Sequence, residues 1–293
     1  MIMRDFNFRT KIDIRDEETG ITYDSKIMML GSCFTTEIGK ILQDYRFNVM
    51  VNPFGTIYNP ASILASLERI VSCRHFTEEE VIQTNPTDTL SPKKYASFSH
   101  HSSFAKPTGA EFLENANREL EITSKWLGNT DILLITLGTA WVFINNNSTE
   151  VVSNCHKRVA KEFTRKLLDI NECSEILMKI AGMFSDKKII FTVSPIRHFK
   201  DGAHGNQISK ATLMLAIENV IKECSWCKYF PAYEIMIDEL RDYRFYAEDM
   251  MHPSLLAVQY IFEKFRQSHI SATAFKQMDV NLRLTRAENH IQK

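Results

Sequence analysis

Glycine is scarce in this chain, ten residues in 293, about half the usual share of roughly 7%. Each glycine is therefore expected to hold a position where a side chain would be strained. Charge of one sign is lacking as well. Thirty-five Lys and Arg stand against thirty-six Asp and Glu, a formal net charge of −1, so no global positive field gathers nucleic acid or an anionic membrane, and neither is an expected partner. Cysteine is sparse and irregular, at 33, 73, 155, 173, 224 and 227, which excludes a disulfide-stapled scaffold and points to reduced thiols. Long hydrophobic runs are missing. The most apolar stretch, residues 132–144, is broken by Thr136, Gly138 and Thr139 and falls short of the roughly 18 residues that cross a bilayer. Residues 1–14 carry Arg4, Asp5, Arg9, Lys11 and Asp13 with no apolar centre, unlike a secretory leader; the expected compartment is the cytoplasm. Dinucleotide and P-loop glycine motifs are absent, so no cofactor of those kinds is expected.

What is present is an ordinary globular composition, 44% hydrophobic and 24% charged, with no repeat or linker to divide it. The expectation is one domain over residues 1–293, with a core at about 25–270 and a tail from 273 read as a surface helix or arm. Lys26-Ile-Met-Met-Leu30 ends at Gly31, and Phe34, Ile38, Ile41, Leu42 and Tyr45 follow at helical spacing, a strand-turn-helix unit. A second unit comprises residues 47–51, the turn Asn52-Pro53-Phe54-Gly55, and a helix opened by Asn59-Pro60. Further strands are expected at residues 131–137, 188–193 and 228–235, a hairpin at 141–152, and helices at 108–128, 162–184, 207–224 and from 253. Strands that alternate with helices, as apolar runs without strict period two, predict a parallel sheet buried on both faces.

Sites in such sheets form beyond the carboxyl ends of strands. In the first turn, Gly31-Ser32-Cys33-Phe34, Cys33 falls at a helix N-terminus, where unpaired N–H groups can hold a developing oxyanion. A buried structural cysteine is an equal reading of that turn alone. Near the other end, Asp249 precedes His252 by three residues; a carboxylate there can fix the imidazole tautomer and leave the other nitrogen as a base. A helix cap with an incidental histidine is the commoner meaning of an isolated D-x-x-H. His100, His101, His156, His198 and His204 fall in loops, and Arg197 could bind an anionic group or form an ion pair. Cys224 and Cys227 have zinc-knuckle spacing but no second pair, so no metal is expected.

Taken together, the turn at Cys33, Gly55 after the second strand, Gly138-Thr139-Ala140-Trp141 after the third, and Asp249 with His252 resemble the SGNH, or GDSL, hydrolase superfamily. More narrowly, Gly31-Ser32-Cys33-Phe34 with Asn52-Pro53-Phe54-Gly55, Asn154-Cys155-His156, Ser194-Pro195-Ile196-Arg197-His198 and Asp249-x-x-His252-Pro253-Ser254 resemble the GSCFA family. The resemblance implies a three-layer α/β sandwich around a five-stranded parallel sheet, SGNH- or flavodoxin-like. It implies an ester hydrolase or acyltransferase acting on an acetyl group of a carbohydrate or related small molecule, with acyl-CoA as donor if transfer is the reaction. Cys33 stands where that superfamily has its nucleophilic serine, with Ser32 behind it as a second candidate; His252 would be the base and Asp249 its orienting carboxylate. Backbone N–H groups at Cys33 and Gly55 would hold the oxyanion, and Gly138, Thr139, His156, Arg197 and His198 would line the substrate. Ala140 departs from the pattern, because an oxyanion asparagine is expected there; Asn154, Asn52 or Thr139 could replace it. The rival expectation is a glycan-binding or scaffold protein that keeps the fold without turnover, and a third is a metal-dependent hydrolase using loop histidines. Nothing in the sequence sets an oligomeric state.

Overall fold

Parallel strands buried on both faces need a hydrophobic layer on each side, and the apolar runs supply both at once. The computed structural model describes residues 10–14 and 20–291; the segment read as unlike a leader falls largely outside the described residues. The elements in chain order are β1 (Lys26–Gly31), α1 (Cys33–Asp44), β2 (Asn48–Val51), α2 (Pro60–Ser72), β3 (Ile82–Gln83), β4 (Tyr95–Ala96), α3 (Gly109–Gly128), β5 (Ile132–Leu137), β6 (Trp141–Asn145), β7 (Val151–Val152), β8 (Phe163–Leu167), α4 (Ile170–Met183), β9 (Lys188–Val193), α5 (Gly202–Glu223), β10 (Cys227–Phe230), α6 (Ala232–Glu234), α7 (Leu255–His269) and α8 (Ala272–Ile291). A π-helical turn, Ile235–Leu240, extends α6.

The main sheet has five strands in the order β10-β9-β5-β1-β2, all parallel. Met28, Leu30, Leu133, Ile135, Ile189 and Phe191 face one way into a core shared with α2 to α5. Ile27, Met29, Ile132, Leu134 and Ile190 face the other way, into a core shared with α1, α7 and α8. The result is the expected three-layer α/β arrangement, with a strand order of the flavodoxin-like kind. From β1 the chain runs to β2 on one side and later returns to β5 on the other, so the topological switch point lies between β1 and β5, where such folds open a crevice. Asn59 caps α2 by accepting from the Ser62 amide, with Pro60 in the first turn, and Thr108 with Glu111 forms a capping box on α3.

Four boundaries differ from the sequence reading. The helix expected from 207 begins at Gly202, so His204, read as a loop residue, lies within α5. Residues 163–167, expected to be helical, form β8, which pairs antiparallel with β6; its side chains alternate half-buried and exposed, and α4 begins only after Asp169, which caps it with Glu172. The fifth strand stops at Phe230 because Pro231 cannot donate to a ladder, so residues 232–235 are helical rather than extended. The terminal helix begins at Leu255 after the Ser254 cap, two residues beyond Pro253, while the tail from 273 lies within α8. No helix among the described residues is long and apolar enough to cross a membrane.

Two buried histidines, His100 and His269, and the half-buried His198 carry a consequence for stability. His100 sits among Phe54, Phe76, Phe104 and Phe112, and burial pushes it down to about 3. Burial holds His269, against Phe230 and Phe265, at about 4 and His198 at about 4. Histidine in an unfolded chain titrates near about 6.5. Below that pH the unfolded state binds protons that the folded state refuses until pH 3 to 4, so stability falls with acidity. At pH 5 each of the three contributes close to one proton, so unfolding is expected to take up about three at these sites. A pH series of chemical unfolding should show this slope reduced in His269→Phe.

Candidate active site

The carboxyl ends of β1 and β5 are bound together by residues 52–58, which cross them as a strap. The Asn52 amide donates to the Met29 carbonyl at 2.8 Å and the Ile57 amide to the Gly31 carbonyl at 3.0 Å. The Asn52 carboxamide oxygen accepts from the Gly31 amide at 2.9 Å, and its nitrogen donates to Thr36. The Tyr58 carbonyl then accepts from the amides of Gly138 at 2.7 Å and Thr139 at 3.0 Å. At Gly31, φ is +144° and an added Cβ would stand 2.2 Å from the Thr136 carbonyl oxygen, so only glycine lets β1 pass this close to β5. Gly55, at φ +80°, is pressed against the His101 side chain in the same way.

Immediately after Gly31, Ser32 and Cys33 open α1. Ser32 is the N-cap, yet its side chain caps nothing; the hydroxyl is enclosed without a hydrogen-bond partner, and it does not line the cleft where Cys33 lies. Ser32 is thus placed as an interior residue, and the second-nucleophile reading lacks access. Cys33 is half-buried, and its Sγ lies 3.4 Å from the Tyr58 hydroxyl. That hydroxyl also approaches Thr56 Oγ1 at 3.3 Å. Burial, reinforced by the bond to Cys33, pushes the Tyr58 phenol up to about 12, so it stays protonated and able to donate.

Across the cleft, the Asp249 carboxylate accepts from His252 Nδ1 at 2.6 Å. Its other oxygen accepts from the Met251 and His252 amides, each at 2.9 Å. These amides, with the imidazole, hold the Asp249 carboxyl down at about 2, so it is ionised and must be the acceptor. Nδ1 then carries the proton and Nε2 is left with a lone pair. The loop is fixed from the side by Arg197, whose backbone amide donates to the Met251 carbonyl at 3.0 Å and whose guanidinium donates to the Met250 carbonyl at 3.2 Å. The same guanidinium lies over the rings of Phe199 and Tyr246. Arg197 is thereby a positioning residue for the histidine loop, with one N–H of its fork engaged by the Met250 carbonyl.

Cys33, Thr139, Arg197, His198 and His252 line one cleft of about 460 Å³, together with Tyr58, Trp141, Phe143 and Met251. Among the described residues no hydrogen bond joins Cys33 to His252. Gly55 does not open as an oxyanion donor, because its amide is used by the Asn52 carbonyl at 2.7 Å. The amides of Gly138 and Thr139 are equally occupied by Tyr58, and the Thr139 hydroxyl meets Ser209 at 3.0 Å. The Ala140 amide is taken by Ser209 as well. Asn154 and His156 lie in a separate polar pocket with Asn85, Asp88 and Lys157, where the Asn154 side chain accepts from the His156 amide and His156 Nε2 meets the Ser97 carbonyl. His100 is a core residue and His101 bonds Ser103. Cys224 and Cys227 are buried thiols, and no group of three or more metal-ligating side chains occurs among the described residues.

Sequence reasoning missed Tyr58 and Lys210. Tyr58 falls within the Asn52–Pro60 turn cluster, and its hydroxyl gains meaning only when the strap folds over Cys33. Lys210, on α5, is fully enclosed and donates to the Gly138 carbonyl at 2.8 Å and the Ser194 carbonyl at 2.7 Å, joining the ends of β5 and β9 under the cleft.

Comparison with known proteins gives one family: the GSCFA family matches residues 26–265. No curated protein matches the chain. Among solved structures, a chain from Streptococcus pneumonia titled as a platelet activating factor aligns at 10% identity and a TM-score of 0.40, covering 86% of each chain. An acetyl xylan esterase from the rumen bacterium Butyrivibrio proteoclasticus aligns at 10% identity and a TM-score of 0.38, covering 84% of this chain and 65% of that one. At such identity and score neither carries a statement about chemistry.

Burial pushes the Lys210 ammonium down to about 7, against about 10.4 in an unfolded chain. Above pH 7 the folded protein releases this proton and the unfolded chain keeps it, so the stability that Lys210 confers rises with pH up to about 10.4. The neutral amine still has two N–H groups for its two carbonyls. Lys210→Met leaves both carbonyls unpaired and is expected to cost about 2–4 kcal/mol; thermal unfolding should show the deficit widening from pH 7 to pH 9.

Proposed function

The chain belongs to the GSCFA family, and from that premise and the cleft geometry we propose that it is a cysteine-dependent acyl hydrolase or acyltransferase. The observation that carries the reading is the opening of Cys33 and the Asp249-oriented His252 into one cleft. Acetyl esters of carbohydrates are the first substrates to test, with acyl-CoA as donor if the acceptor is an alcohol. His252 Nε2 takes the thiol proton as Sγ bonds to the acyl carbon; the C–O bond of an ester, or the C–S bond of acyl-CoA, then breaks and the leaving alkoxide or thiolate takes the proton from His252. Water, or an acceptor alcohol, gives a proton to His252 as it attacks the thioester, and His252 returns it to the departing sulfur. Because Sγ rests on Tyr58 in the free protein, the cycle requires the sulfur to turn toward His252 when substrate is bound.

Oxyanion support follows from what is left free. Three amides near the site are spent on Asn52 and Tyr58 carbonyls. The first-turn amide of α1 at Cys33 and the protonated Tyr58 hydroxyl remain as donors on the reacting side. The hydroxyl also suits a sulfur that becomes negative, since it approaches Sγ already. A second reading, a binding protein without turnover, is favoured by the lack of a direct Cys33–His252 bond among the described residues and by Ala140; it predicts ligand binding with no acyl adduct.

Incubation with p-nitrophenyl acetate or acetyl-CoA, followed by mass spectrometry, is expected to find an acetyl group on Cys33. Cys33→Ala should abolish both adduct and turnover; turnover that persists in this variant would remove Cys33 from its role. Tyr58→Phe, which keeps the carbonyl that binds Gly138 and Thr139, is expected to lower kcat by roughly 10- to 100-fold with little change in KM. A rise in KM alone would make Tyr58 a binding residue instead.

A further inference from the structure

The lining of the cleft is predominantly apolar in area, and Arg165, Lys200 and Asp201 stand among its aromatic side chains. Trp141 and Phe143, two residues apart on β6, present side chains on the same face. Val152, Ile196, Phe199 and Met251 continue the surface. Cys33, Tyr58, Thr139 and His252 form the reactive end. Of the three cations on the wall, Arg165, Arg197 and Lys200, one is ion-paired among the described residues. Arg165 makes a bidentate pair with Asp201 and lies 3.9 Å from the Trp141 ring centroid, which fixes that ring as part of the wall. Lys200 stands over Phe143 at 4.8 Å. Trp141 Nε1 is buried without a partner, so even the polar atom of this side chain is withheld from a ligand.

Sugar hydroxyls placed against Trp141, Phe143, Val152 and Ile196 would lose hydrogen bonds to water. An acetyl group would cover little of that surface. A cleft of about 460 Å³ is far larger than an acetyl group and has room for a medium-length acyl chain with part of a leaving group. We propose that the Trp141–Phe143 wall is an acyl-chain subsite, and that the preferred substrate is an ester or thioester of a saturated chain of about six to ten carbons, for which the cleft volume and apolar lining are matched. This rests on the Cys33 reading for chemistry and adds the identity of the acyl group.

The test is a series of p-nitrophenyl esters from acetate to decanoate on the full chain, alongside Trp141→Ala and Phe143→Ala, with circular dichroism to confirm folding. kcat/KM is expected to rise about two- to fourfold with each added methylene, reaching at least about sixtyfold for octanoate over acetate across six methylenes, and the rise should flatten in either variant. Activity that depends on Cys33 but peaks at acetate would overturn the subsite and leave the nucleophile in place; turnover that survives Cys33→Ala would strike the nucleophile instead. Calorimetric binding of octanoate and acetate to Cys33→Ser reads the subsite without turnover. Octanoate should bind at least tenfold tighter, with the difference lost in Phe143→Ala, and equal binding of the two acids would also overturn the proposal.

Discussion

The hydrogen bonds that lay residues 52–58 across the ends of β1 and β5 are the constraint from which the site follows. Beneath the strap β1 must pass close against β5, which Gly31 allows, and the strap needs a side chain able to accept from Gly31 and donate to Thr36, which Asn52 provides. Once laid, it carries Tyr58 over the first turn of α1 and consumes the amides of Gly55, Gly138 and Thr139. The oxyanion arrangement implied by the superfamily resemblance cannot be assembled from those amides. The missing asparagine at Ala140 is therefore not an isolated loss. The surrounding backbone has been committed to holding the strap, and a phenol stands beside the sulfur in its place.

Two kinds of electrostatic support meet at this edge. Asp249 is exposed, yet two backbone amides and an imidazole hold it ionised, and Arg197 ties the same turn to the loop after β9. Geometry there comes from short loops bonded to one another. Beneath the cleft, Lys210 works in the opposite regime: it is enclosed, and it bridges two carbonyls that no other side chain reaches. The surface side of the site is thus held by charge-assisted bonds open to water, and its floor by a buried amine.

Legibility in the sequence followed how local the cause of each feature was. The strands β1, β2, β5 and β9 were readable because apolar runs bounded by Gly, Pro or Asn need no tertiary context, and Asn59-Pro60 signalled α2 for the same reason. β8 was not, since Phe163 and Leu167 fit helical spacing and only pairing with β6 makes them a strand. Cys33, Asp249 and His252 stood out by motif, and all but Asp249 line the cleft. Asn154 and His156 stood out equally and went to another pocket, because motif order says nothing of where an inserted hairpin folds. Tyr58 and Lys210 were invisible: one lies among turn residues, the other in a helix of mixed charge, and each is defined by a partner far along the chain.

Cys33 has a solitary position that reaches beyond acyl chemistry. Burial pushes Cys155, Cys173 and Cys227 up to about 11, 12 and 12, and none of the other five cysteines lines its cleft. A peroxide entering there meets one thiol, and no second cysteine lines the cleft to resolve a sulfenic acid as an internal disulfide. Repair would fall to a small external thiol able to enter the same opening, so the width of the cleft governs both what reaches the sulfur and what can restore it.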